Sequence, residues 1–228
     1  WWYSSVCIKE YDLNMDEEIT IIDKNTRNEK IKNFFITNKK NFIIGALVIL
    51  VGLAGYFFYN EIKQRNKIEL ANKFNFITMN YKEAEKKTTI DGLINIVKQN
   101  DITYSPLALY FLLDNNLIEN NIEINKLFDQ LINKTSLEKE IKNLIIYKKA
   151  LFNSNFVKEN DLLQILNPII NSESIWKSHA LYLLAEYFYF KDETVKAKEF
   201  FNQILILPDS NSHIKLESKK RLIRDFGE

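Results

Sequence analysis

The feature that most constrains this chain is an uninterrupted apolar run from Phe42 to Tyr59, reading FIIGALVILVGLAGYFFY. It holds no Asp, Glu, Lys or Arg, and its only ionisable groups are Tyr56 and Tyr59. As an α-helix rising about 1.5 Å per residue, it reaches roughly 27 Å, close to a hydrocarbon core of about 30 Å. Its Leu, Ile, Val and Phe residues each favour insertion at the bilayer centre by about 0.3–0.6 kcal/mol, together roughly 3–7 kcal/mol. A buried core helix of a soluble protein is the competing reading, but such helices rarely run this far without a polar residue. The run predicts a transmembrane anchor over 42–59, between a segment 1–41 and a domain 60–228.

Flanking charge predicts its orientation. Lys24, Arg27, Lys30, Lys32, Lys39 and Lys40 precede the anchor, against Lys63, Arg65, Lys67 and Lys73 after it. Excess positive charge stays in the cytoplasm, so 1–41 is expected inside and 60–228 outside. A cleaved secretory signal would need a shorter apolar run and small residues at its end. Here Tyr56, Phe57, Phe58 and Tyr59 form an interfacial aromatic belt, so an uncleaved signal anchor is expected. Gly45, Gly52 and Gly55 lack the GxxxG spacing that would favour dimerisation in the membrane. Residues 26–36 read either as a short amphipathic helix with Ile31, Phe34 and Phe35 at the membrane surface or as a solvated lead-in. Residues 1–14 precede Met15, and MDEEITIID reads as a natural start, so 1–14 are expected to be an over-extended start or a fragment end.

Beyond the anchor the composition points to helices. Five glycines and three prolines in 228 residues leave few of the usual strand and turn punctuators. Abundant Leu, Ile, Lys, Glu and Asn suit helices joined by polar turns. Leu70, Phe74, Ile77 and Tyr81 make one apolar stripe of a helix over 60–81. Thr88 is expected to cap a second helix carrying Ile90, Leu93, Ile94 and Val97. Ser105-Pro106 starts a third, through Leu109, Tyr110 and Leu113. Ile124, Leu127, Phe128 and Leu131 carry a fourth. The stretches 136–152 and 161–166 form a further pair, the second stopping near Pro168, and 213–226 closes the domain with Ile214, Leu216, Leu222 and Ile223 inward. The expected fold class is all-α: a single N-terminal transmembrane helix followed by a solenoid of stacked helical hairpins, in which each hairpin needs its neighbours to cover its apolar face.

The last hairpin carries the sharpest pattern. Leu184-Ala185-x-x-Phe188 is followed by Ala197-x-x-x-Phe201-x-x-Ile204 and Pro208. This resembles a tetratricopeptide repeat, in which a small residue on each helix lets the pair approach closely. The resemblance implies that Ala185 and Ala197 form the notch and that Phe188 and Phe201 fill the hairpin core. Ala185 stands where the repeat usually has Gly, Ile204 where it has Ala, and Pro208 falls one place early, so the unit is degenerate. Tyr182, Tyr187 and Tyr189 surround this hairpin and are candidates for a partner groove, with packing inside the stack as the alternative. The whole layout, with Trp176, Ala180, Leu183, Leu184 and Ala185 and then Ala197 and Phe201, is similar to bacterial inner-membrane proteins with a tetratricopeptide-like periplasmic domain. Their best-known member is the ancillary subunit of the SecYEG translocon. The resemblance implies a domain that docks near the translocon and hands emerging proteins to periplasmic chaperones, with no catalytic residues.

The chain offers little chemistry. It lacks HExxH, CxxC, GxxxxGK[ST] and GxGxxG, and its histidines, His179 and His213, are isolated. Ser136-x-x-Lys139 and Ser174-x-x-Lys177 match an acylase pattern without its companion boxes. His179 beside Trp176 reads as a packing residue. A net charge of +1 argues against nucleic-acid binding, and the single cysteine, Cys7, allows no internal disulfide. The expectation is a non-enzymatic membrane-embedded protein with protein partners and no cofactor, metal or small-molecule substrate. A scaffold of a cell-envelope or division complex is the alternative, and an enzyme with a site built only by the fold is a third reading.

Overall fold

The computed structural model describes residues 28–82 and 85–227. The expectation for 1–14 therefore lies outside the described residues. Among those residues there are ten helices and no strand. Two compact units divide the chain between Asn66 and Lys67.

In the first unit, α1 (28–37) leads to α2 (Lys39–Met79), whose C-terminal part belongs to the second unit. The junction at Asn38 keeps helical bonding: its backbone N–H donates to Phe34 O at 3.0 Å and its carbonyl accepts from Phe42 N at 3.1 Å. The most apolar stretch of α2 is long enough to cross a membrane, and none of it is buried against protein. Exposed side chains this apolar are unstable in water and favourable in lipid.

The second unit continues with α3 (Lys86–Lys98), α4 (Tyr104–Asp114), α5 (Asn121–Lys134), α6 (Lys139–Asn153), α7 (Glu159–Ile170), α8 (Lys177–Phe190), α9 (Thr194–Ile206) and α10 (Ser212–Phe226). Each helix packs on the next, and α3 with α5, α6 with α8 and α8 with α10 also touch. Their buried faces form two apolar clusters. The first joins α3, α4 and α5 to Ile145 of α6, with Leu70, Phe74 and Ile77 of α2 against it. The second joins Ile146 and Ala150 of α6 to α7, α8, α9 and Leu222 of α10. Adjacent residues of α6 thus face different clusters, which makes α6 the seam between them.

Scarce glycine is offset by Asn and Asp at the helix ends. Asn100, Asn116 and Asp192 adopt positive φ of 56°, 51° and 61° after α3, α4 and α8, a conformation these short polar side chains tolerate better than others. After α4, Leu117 N donates to Leu112 O at 2.9 Å across the Asn116 turn. Leu112 and Leu117 are both buried, so backbone closure and apolar contact reinforce one another. The one glycine in the second unit's interior, Gly92 on α3, admits Ile77 of α2. A Cβ there would lie 2.7 Å from Ile77 Cδ1.

Three sequence expectations require correction. Helix α3 starts at Lys86, so Thr88 is inside the helix and exposed, and Thr89 is the buried one. Helix α4 starts at Tyr104 and is capped by Asp101, whose Oδ1 accepts from Thr103 N at 2.8 Å and Tyr104 N at 2.7 Å. Pro106 lies within the first turn, where its missing N–H has no intrahelical acceptor to lose. On α10, Leu216 and Ile223 are about half exposed, because the inward stripe is Ile214, Ser218 and Leu222. Ser218 fills a core position by donating its hydroxyl to Ile214 O at 2.8 Å. Pro168 lies inside α7, which ends two residues later at Ile170.

Candidate functional site

Helices α8 and α9 place Leu184, Ala185, Phe188, Ala197, Phe201 and Ile204 together in the second cluster, each at most 1% exposed. The turn between them closes when Glu193 N donates to Phe188 O at 2.9 Å across the left-handed Asp192. Ala185 and Ala197 present only methyl groups, leaving room for large aromatics beside them. Phe188 stacks on Phe200 with ring centroids 5.5 Å apart, and Phe201 meets Tyr182 edge-on at 5.6 Å.

The three tyrosines do not converge on one groove. Tyr187 is buried and its hydroxyl donates to Val157 O at 3.1 Å, towards the start of α7. Burial first, then the acidic Glu159, Glu193 and Asp161, raises its pKa. Tyr182 and Tyr189 face α10 instead. Burial, assisted by Glu186, pushes the Tyr182 hydroxyl up to about 12. Tyr189 packs edge-on against Phe226 at 5.8 Å and lies under the Arg221 guanidinium at 4.3 Å. Arg221 donates to Glu186 through Nε at 2.7 Å and Nη2 at 2.8 Å, and pairs also with Asp225. A planar guanidinium with two carboxylates and an aromatic face is a strongly oriented cation. These contacts fasten α10 to α8, and they occupy the polar groups of Tyr187, Arg221 and Glu186.

Among the described residues, a concave surface lies where the α4–α5 turn meets α6. A groove of about 340 Å³ is lined by Tyr110, Leu113, Ile118, Lys148, Leu151 and Phe152, among others. Lys148 Nζ is 4.4 Å from the Tyr110 ring centroid, and burial pushes the Tyr110 hydroxyl up to about 12. Its walls mix apolar side chains with the Lys148 ammonium, the Tyr110 phenol, the Asp114 carboxylate and the amides of Asn116 and Asn121, a lining that can seat an apolar side chain of a polypeptide and hydrogen-bond the groups beside it. The sequence reading missed this groove because its walls come from segments far apart in the chain. The one local signal was Tyr110, a polar-tipped ring inside the otherwise apolar run 106–113 of α4.

Of the two acylase-like serines, Ser174 is tied into a network between α6 and α8. Ser174 Oγ donates to Glu140 Oε2 at 2.8 Å and accepts from Asn143 Nδ2 at 3.0 Å. Lys139 Nζ donates to Glu173 O at 2.8 Å. With Trp176 Nε1 donating to Glu140 O at 3.1 Å, these bonds clamp the start of α6 to the α7–α8 connection. His179 packs between Trp176 and Tyr147, with centroids 5.2 and 5.9 Å away. Burial lowers its pKa, and the Ile175 backbone pulls the other way. Among the described residues, no three His, Cys, Asp or Glu side chains gather as a metal site.

No family model, curated protein or solved structure matches the chain significantly. Among the described residues, the class the fold defines is all-helical, with one helix long and apolar enough to span a membrane.

Proposed function

We propose that this chain is a membrane-anchored protein–protein interaction module without catalytic activity, whose hairpins form a tetratricopeptide-like solenoid outside the cytoplasm. Its role in this reading is accessory to the Sec translocon, passing secreted proteins to periplasmic chaperones. The observation that carries the proposal is the exposed apolar span of α2 followed by a second unit made entirely of packed helices, as far as it is described. The six buried residues of the α8–α9 hairpin support the repeat-like reading, and the α4–α6 groove supplies a concave surface for a partner segment.

The test is photo-crosslinking in cells from the groove position Leu151, which is half exposed. Capture of translocon subunits or periplasmic chaperones is expected. Recovery of cytoplasmic proteins alone overturns the proposal, and confinement to division-site proteins replaces it with the scaffold reading.

A further inference from the structure

Resting on the membrane-anchor reading, we propose that α1 lies in the interface of an anionic bilayer, its apolar face among the acyl chains and its lysines at the headgroup phosphates. Ile31, Phe34 and Phe35 stand at i, i+3 and i+4 and form one face of the helix, and all three are at least half exposed. Lys30 and Lys32 flank that face, and Lys39 and Lys40 follow at the start of α2. Against these four lysines, residues 28–41 hold one acidic side chain, Glu29. This local charge complements anionic headgroups, although the whole chain is nearly neutral.

Ring geometry supplies the second line of argument. Phe42 lies 4.8 Å from Phe35 and 5.9 Å from Phe34, centroid to centroid. In a straight helix, residues seven apart are separated by about 10.5 Å along the axis, and helical Phe side chains all lean towards the N-terminus. Contact between Phe35 and Phe42 therefore requires a bend, and the helix is interrupted at Asn38. The Asn38 side-chain amide donates at 3.0 Å to the same Phe34 O that accepts from the Asn38 backbone N–H, a second bond on that carbonyl. The three rings form an aromatic elbow where an interfacial helix turns into a spanning one. Aromatic rings favour that depth of a bilayer, and basic side chains reach from it to phosphate.

The test uses the full chain carrying Cys7→Ser and single spin labels introduced through Ile31→Cys, Asn33→Cys, Phe35→Cys and Ile49→Cys. Each is reconstituted into phosphatidylcholine vesicles with and without phosphatidylglycerol. In anionic vesicles, labels at 31 and 35 should show severalfold higher oxygen-to-nickel-reagent accessibility ratios than the label at 33. The contrast should weaken in neutral vesicles and on replacing the four lysines with Gln. Equal water access at 31, 33 and 35, as when α1 projects into solvent, overturns the inference. So does a contrast insensitive to lipid charge, as when α1 packs on protein. The label at 49 separates the two failures: if it is lipid-buried, only the interfacial helix is refuted, and if it is water-accessible, the anchor itself is refuted.

Discussion

Phe201→Ala and Phe190→Ala remove the same atoms from neighbouring helices, and the structure assigns them opposite outcomes. Phe201 is 0% exposed at the centre of the second cluster, between Tyr182 and Phe226. Phe190, at the end of α8, is 83% exposed. Truncating a fully buried Phe loses its transfer free energy and leaves a cavity, about 3–5 kcal/mol in all. Truncating an exposed one stays within about 0.5 kcal/mol of neutral. For a domain of this size, about 2–4 °C of melting temperature corresponds to each kcal/mol. Phe201→Ala should therefore lower the transition by roughly 6–20 °C. The assay is thermal unfolding of the full chain in mild detergent, followed by the near-ultraviolet circular dichroism of its aromatic core. Equal shifts for the two variants, or a Phe201→Ala shift within error of zero, would refute the packing described for α8, α9 and α10.

Other variants probe the polar ties. Asn125 and Asn153 exchange amide bonds in both directions, at 2.9 and 2.8 Å, joining α5 to α6. Asn153 is buried and Asn125 half-buried, so Asn125→Ala, which strips the buried Asn153 of this partner, should cost about 1–3 kcal/mol, and the double variant should cost less than the sum of the single ones in denaturant melts. Arg224 first, with Arg221, holds the Asp225 carboxyl below its ordinary value of 3.8. The folded state therefore binds fewer protons than the unfolded state. Asp225 contributes stability above that ordinary value and loses it as pH falls through the lower folded one. Asp225→Asn should flatten this acid limb in melts recorded against pH. Gly92→Ala should be nearly neutral, since about 1 kcal/mol of helix propensity offsets a shift of the flexible Ile77 tip. Gly92→Leu should be clearly destabilising by the same measurement.

Where burial follows helical spacing, the fold could be read directly. Ile124, Leu127, Phe128 and Leu131 were expected on one face of a helix and are all buried. The apolar run 42–59 lies within one long helix because no polar residue interrupts it. The reading faltered where a polar residue took a core position or an apolar one did not. Ser218 is hidden because its hydroxyl bonds within its own helix, and Leu216 and Ile223 face away from α8 and α9. The Asp101 cap was missed because the helix was expected to start at Ser105, whereas the N–H groups that Asp101 accepts from belong to Thr103 and Tyr104, just before it. At the candidate site, the α8–α9 core residues were legible because a hairpin's contacts are local. The groove between α4 and α6 was not, nor were the Glu140–Ser174 and Asn125–Asn153 bonds, since no local pattern reports which distant helices become neighbours.

Everything proposed for this chain depends on lipid covering the exposed apolar stretch of α2. Alkaline carbonate extraction of membranes from cells making the full chain tests this most directly. The chain should stay in the membrane pellet, and replacing Leu47 and Leu50 with Arg should release it. Quantitative release of the unaltered chain into the supernatant would contradict the account.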